Sequence, residues 1–169
     1  MIRTRMIATA MLFNGNDMLM MKRSPRRTLS PGMWAAVGGH LEPHELNDPR
    51  SACLREIYEE TGWREEEIID LKLQYILIRL NQQEIRQQFV YTAAAARRDV
   101  VQTAEGVLHW IPKTEVFQRQ IPFIFHSLLK HYFQHGPSSC VWVGTAGFSD
   151  ELHLRPAVHW TALIDPGVL

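Results

Sequence analysis

Residues 39–63 read GHLEPHELNDPRSACLREIYEETGW, and the second half of that stretch is a helix with both ends marked. Asp48 suits the N-cap, where a carboxylate accepts an N–H of the first turn, and Pro49 suits the first helical position. Gly62 stands where a helix ends in a left-handed residue, with apolar Trp63 after it. At ~100° per residue, Leu54, Ile57, Tyr58 and Thr61 share one face, which is the predicted core face. Glu56, Glu59 and Glu60 fall opposite, within an arc of roughly 100°. The like-charged pair Glu56 and Glu60 costs a helix a few tenths of a kcal/mol (~0.2–0.5) unless something positive sits between them. Magnesium is held by one or two carboxylates together with substrate phosphates, so this face is a candidate cation site. A solvated acidic face is the commoner explanation for three glutamates alone, and Arg55 can pair with Glu59 as an ordinary i,i+4 ion pair.

Strands surround this helix. Apolar runs at 6–13 and 18–21 flank Asn14-Gly15-Asn16-Asp17, a hairpin signal that predicts two paired strands, about 3–13 and 18–22. The same pattern argues against reading Arg3, Arg5 and the first apolar run as a secretory signal. A basic turn follows with Lys22, Arg23, Arg26 and Arg27; Ser30-Pro31-Gly32 breaks the chain, and 33–37 is a short predicted strand ended by Gly38-Gly39. Beyond the helix, 71–80 and 86–94 are strand-like, joined by a turn at 81–84. Residues 97–106 read as a loop and 107–111 as a short strand. Residues 121–133 fit an amphipathic helix with Ile124, Leu128 and Tyr132 at helical spacing, stopped by His135-Gly136-Pro137. The tail carries two more strand-like runs, 140–143 and 157–163, around a polar connection. This order predicts an α/β (α+β) domain, a mixed sheet layered between helices. It comprises residues 1–136, with a C-terminal β-hairpin extension, 137–169, packed on the same domain.

Eighteen basic residues balance eighteen acidic ones, which argues against a nucleic-acid coat or an anionic membrane as the main partner. A small phosphorylated ligand needs only a local basic patch. Two cysteines, Cys53 and Cys140, make neither a disulfide framework nor a Cys-x-x-Cys pair and read as reduced thiols. With no apolar stretch near the ~20 residues of a membrane span, the expected location is cytoplasmic.

The context of the acidic helix changes its reading. Gly39, Glu45, Arg55, Glu56, Ile57, Glu59, Glu60, Gly62 and Trp63 match in type and order a pattern of Gly, five residues, Glu, seven residues, then Arg-Glu-hydrophobic-any-Glu-Glu-any-Gly-hydrophobic. The segment thus resembles the Nudix box, and the predicted element order through Phe133 is what that family's fold requires. One departure stands out: nine residues, not seven, separate Glu45 from Arg55. The extra two fall ahead of the helix, at 46–49, where an insertion is tolerable.

The resemblance implies a hydrolase that cleaves the pyrophosphate linkage of a nucleoside diphosphate linked to another moiety, with a slight lean toward nucleoside triphosphates, oxidised or ordinary. It implies Mg2+ or Mn2+ at Glu56, Glu59 and Glu60, with the carbonyl of Gly39 as a further ligand. Arg55 would orient the glutamates together with Glu45. The general base in such enzymes is a box glutamate or one from a later loop, for which Glu105 is the candidate and Glu84 a weaker one. Lys22 and Arg23 are candidates for holding phosphate. Phe89 and Tyr91, with Trp34 and Trp110, are candidates for stacking on a base, although strand aromatics are more often core. His131 and His135 lack a third ligand and read as surface histidines. The expected partner is a small-molecule nucleotide, with a homodimer possible. The alternative function is a non-catalytic nucleotide-sensing Nudix module, which would be expected to have lost box carboxylates.

Overall fold

A computed structural model describes residues 1–26, 30–149 and 155–168. Arg27 of the basic turn and most of the polar connection in the C-terminal hairpin lie outside the described residues. One mixed sheet organises the chain: β1 (Arg3–Asn14), β2 (Asp17–Arg23), β3 (Trp34–Ala35), β4 (Val37–His40), β5 (Ile68–Asn81), β6 (Glu84–Ala95), β7 (Gly106–Pro112), β8 (Val141–Phe148) and β9 (Pro156–Leu163). The spatial order is β3-β2-β1-β6-β5-β8-β9, with β4 paired to β1 and β7 paired to β2. The first hairpin turns on Gly15, at a φ of 59°, with Asn14 opposite Asp17.

Two helices flank the sheet. α1 (Pro49–Thr61) and α2 (Phe123–His135) pack on opposite faces, because alternate residues of a strand point to opposite sides. Ala8, Ala10 and Leu12 of β1 join Ala52, Cys53 and Ile57 of α1 in one core cluster. Met11 and Phe13 join Leu128, Leu129 and Tyr132 of α2 in the other. The predicted caps of α1 are present: the Asp48 carboxylate accepts from the Ser51 N–H at 3.1 Å, and Gly62 ends the helix at a φ of 78°. Among the described residues no helix is long and apolar enough to cross a membrane.

Several expectations need correction. The predicted short strand does not stop at Gly38-Gly39. It breaks at Ala36, pairs with β2 before the break and with β1 after it, and runs through both glycines to His40. The buried face of α1 is also rotated from the predicted one. Tyr58 is 54% exposed, whereas Ala52, Cys53, Ile57, Glu60 and Thr61 are buried. On the 100° wheel those five span about half a turn, and Glu60 lies near its middle. The prediction followed only the apolar residues of the last two turns and so took the buried side for the solvent side. His131 is buried rather than superficial. Its Nδ1 lies 3.0 Å from the Tyr75 hydroxyl, and its ring packs against His135, Trp142 and Trp160. Apart from these corrections, the tail strands extend the main sheet: β8 pairs in parallel with β5, and β9 pairs with β8. Trp160 of β9 packs edge-on against Tyr75.

Candidate active site

The box residues are gathered by Arg55. Its Nε donates to Glu45 Oε1 at 2.8 Å and its Nη2 to Glu45 Oε2 at 3.0 Å. Nη2 also donates to the His40 carbonyl at 3.0 Å, and Nη1 donates to Glu56 Oε1 at 2.9 Å and Glu59 Oε2 at 3.2 Å. All five guanidinium N–H groups are thereby engaged. Arg55 thus reaches two of the three helical glutamates as well as Glu45. The long spacer does not displace Glu45. Glu45 ends a 3₁₀ turn at Pro43–Glu45, the Asp48 N–H of the spacer folds back to the Glu45 carbonyl at 2.8 Å, and the Glu42 N–H donates to Glu45 Oε2 at 2.8 Å. The Arg55 guanidinium holds the buried Glu45 down to about 2, outweighing its desolvation.

Glu60 has the opposite environment. Only 4% exposed, it accepts the Gly38 N–H at 3.0 Å. Burial pushes its pKa up to about 8; the Gly38 N–H opposes this, and the carboxylates of Glu105 and Glu56 add to the rise. Burial likewise raises Glu56, with Arg55 opposing and Glu59 and Glu105 adding to it. The two glycines of β4 make this packing possible. A Cβ on Gly38 would overlap the β1 backbone at Ala8, and one on Gly39 would overlap the Glu56 carboxylate.

A cleft of about 330 Å³ opens beside these groups. Glu56, Glu59, Glu105 and Gly39 line it, together with apolar residues that include Ile7 and Leu77 of the sheet and Ile124 and Phe125 of α2. Glu105 is brought there by pairing of β7 with β2, which sets Gly106 opposite Arg23. Gly106 lies so close to the Lys22 carbonyl that a side chain would not fit, and the Ser24 N–H donates to the Glu105 carbonyl at 3.0 Å. Arg23 lines the cleft with Glu105.

Six other candidates do not line the cleft, among them Trp34 and Trp110, which pack against the two core clusters. Lys22 follows the alternation of β2 to the other side and is exposed. Phe89 and Tyr91 alternate with Gln88 on β6, and while Gln88 lines the cleft, they pack into the core under α1. They are corrected from base-stacking candidates to core residues. Glu84 sits at the β5–β6 turn with Arg5 and Arg86, away from the cleft. Conversely, Arg79 and Gln88 line the cleft and were missed. Their signal was period two: both are polar residues on strands otherwise read as buried.

The donors present suit a hard divalent cation: they are carboxylate oxygens, Glu56 lies against the Gly39 backbone, and Glu60 is a buried carboxylate crowded by two others. Among the described residues no three of these side chains stand close enough to enclose an ion. An open set of this kind fits a cation that keeps waters and takes phosphate oxygens as its remaining ligands.

Known proteins share this fold. The NUDIX domain family model matches residues 3–132. A mutator MutT protein from Bacillus halodurans superposes with a TM-score of 0.71 at 21% identity, over 92% of this chain and 97% of its own. A MutT protein from Methanosarcina mazei Go1 gives 0.69 at 16% identity, over 80% and 97%. The NUDIX domain of Shewanella oneidensis NrtR, complexed with ADP ribose, gives 0.62 at 15% identity, over 79% and 88%. These likenesses carry the fold, and the family match over most of the chain carries the kinship: the chain belongs to the Nudix family and is a Nudix pyrophosphohydrolase.

Proposed function

We propose that this protein hydrolyses the pyrophosphate linkage of a nucleoside diphosphate linked to another moiety, with a lean toward nucleoside triphosphates, and that it requires Mg2+ or Mn2+. One observation carries the reading: Glu56, Glu59 and Glu105 line one cleft with Gly39, and the same cleft has apolar walls. Carboxylates that can hold a cation suit a diphosphate, and apolar walls suit a nucleoside. The ADP ribose bound by the NrtR domain supports an occupant of this class.

Glu56, Glu59 and Glu60, with the Gly39 carbonyl, would hold the metal, which when bound neutralises the diphosphate and acidifies water. Arg55 positions Glu56 and Glu59 and is itself fixed by Glu45. Glu105 is the proposed base that takes the proton from the attacking water. Arg23, beside it, contributes a cation toward the phosphates. Presence of all three helical glutamates favours catalysis over a purely sensing role. The test is a substrate panel with Mg2+ or Mn2+ in oxygen-18 water, with products identified by mass. A nucleoside monophosphate with label on a phosphate product is the expected result. No hydrolysis of any phosphoanhydride, or hydrolysis that survives complete chelation, overturns the proposal.

A further inference from the structure

Three arginines stand in one row across the sheet: Arg5 of β1 opposite Arg86 of β6, and Arg86 opposite Arg79 of β5. Like charges set side by side repel. Glu84 answers two of them, accepting from Arg5 Nε at 2.8 Å and from Arg86 Nε at 2.6 Å. Arg79 is half-buried and lines the cleft. Among the described residues no hydrogen bond or ion pair engages its guanidinium. Burial and the charge of Arg86 work against its cation and outweigh the help of the Glu84 carboxylate; an electron-rich group from outside would offset that cost.

Gln88 is its neighbour on the same wall. Its Nε2 donates to Thr9 Oγ1 at 2.8 Å. With Nε2 on Thr9, Oε1 is left as an acceptor, with no donor to it among the described residues. The register His40–Ile7–Gln88–Leu77 runs from β4 to β5. Two steps of about 4.8 Å reach Gln88 and a third reaches the strand of Arg79, so these residues stand ~10–14 Å from β4, against which the Glu56 carboxylate lies. That separation is comparable to the length of an extended nucleoside diphosphate.

We infer that Arg79 and Gln88 are specificity-determining residues that read the oxo edge of a nucleobase. The inference rests on the reading that a nucleotide occupies the cleft. A guanidinium only donates, and the freed amide oxygen only accepts. Together they complement a carbonyl beside a ring N–H, the edge of hypoxanthine, guanine, uracil and thymine. Adenine and cytosine present an amino donor beside a bare ring nitrogen, the reverse pattern, and would set donor against donor.

The test compares kcat/KM for ITP against ATP and for UTP against CTP, pairs chosen for opposite edges. Binding of IMP, AMP, UMP and CMP in chelator, read by calorimetry, runs alongside. The expected preference for the oxo member of each pair is about 10-fold or more. In Arg79→Met both ratios should fall toward one, and Arg79→Lys, which keeps charge but loses the planar fork, should restore little of either. Equal activity and binding within each pair, or a preference for the amino member, overturns the inference while leaving the proposed hydrolysis intact. A loss in Arg79→Met that is the same for all bases overturns it too and assigns Arg79 to a phosphate. Discriminating binding without hydrolysis of any triphosphate would support the inference and count against the catalytic proposal. Absence of both binding and hydrolysis overturns both.

Discussion

Replacing Arg55 by lysine tests whether one guanidinium holds the site together. Arg55 makes five hydrogen bonds to three carboxylates and one carbonyl. Lysine has three donors on a point charge, so at least two bonds disappear. The bond to Glu59 counts little, because that carboxylate is 54% exposed. The pair to Glu45 counts more: that carboxylate is 5% exposed and held by a fork that lysine cannot copy. Losing half of a charge-assisted bidentate contact there costs about 2–3 kcal/mol. For a chain of this length, that is a fall in Tm of roughly 4–12 °C. Turnover should fall about 10–100-fold, the usual consequence of removing a group that orients ligands, and raised Mg2+ should recover part of it. Acid sensitivity should also change sign-consistently. Glu45 lies well below its ordinary 4.5, so its contribution is present above 4.5 and is lost as pH falls through about 2. In Arg55→Lys that loss should be smaller and complete at higher pH, because a weaker partner leaves Glu45 closer to its ordinary 4.5. Thermal melts in chelator between pH 2.5 and 7, with turnover on the same samples, read all three effects. Arg50→Lys, which alters an exposed pair with Glu65, is the control and should shift Tm little. An Arg55→Lys protein with parental Tm and parental kcat/KM would refute the reasoning.

The metal-free protein should lose stability as pH rises, because Glu60 is raised to about 8: its contribution is fully present below its ordinary 4.5 and is lost as pH passes 8. Mg2+ should offset this loss and bind with release of a proton, measurable by calorimetry in buffers of different ionisation enthalpy; pH-independent melts in chelator would count against it. Glu59→Gln should lose activity by orders of magnitude yet melt in chelator like the parent, since the side chain is exposed; unchanged turnover would remove Glu59 from the catalytic assignment. Ending the chain at Gly136 should lower Tm and solubility, because β8 and β9 cover the β5 edge and bring Trp142 and Trp160 against His131; a truncated protein that stays soluble with parental Tm would leave the hairpin without that role.

Local rules fixed most of the elements from the sequence, and the failures have identifiable causes. The caps of α1 were readable because Asp48, Pro49 and Gly62 act on their own backbone. Hairpin turns at 14–17 and 81–84 were readable for the same reason. Burial of Glu60 was not, because a polar residue on an inner helix face leaves no trace in a hydrophobic pattern. Parallel pairing of β1 with β6 and of β5 with β8 is likewise a long-range choice that no local signal encodes. Assigning Phe89 and Tyr91 to substrate failed through register: a one-residue shift along β6 exchanges the core face for the cleft face, and Gln88 took the place expected of its neighbour. Gly39 and Arg55 fared better, since close approach and a five-donor fork each leave few alternatives once the neighbouring carboxylates are placed.

The position of Glu60 links fold to chemistry. A 13-residue helix docked on a sheet through Ala52, Cys53 and Ile57 would be more stable with an apolar residue between them. Here the middle of that face carries a carboxylate, turned toward Gly38 and beside Glu56 and Glu105. Ionised and without a cation, it is costly to bury; protonated, it shares its proton with neighbouring acceptors. The helix therefore has two ways of meeting the cost, a proton or a divalent ion, and neutral pH selects between them according to the supply of metal. On this reasoning Glu60→Leu should make the metal-free helix dock more firmly while abolishing metal-linked stabilisation. Glu56→Leu should not do the same, because Glu56 has Arg55 as a partner, and removing its carboxylate takes from Arg55 one of its three carboxylate partners. Comparing the two variants in chelator and in Mg2+ separates a carboxylate retained for chemistry from one retained for structure. Equal stabilisation by the two replacements would defeat the distinction.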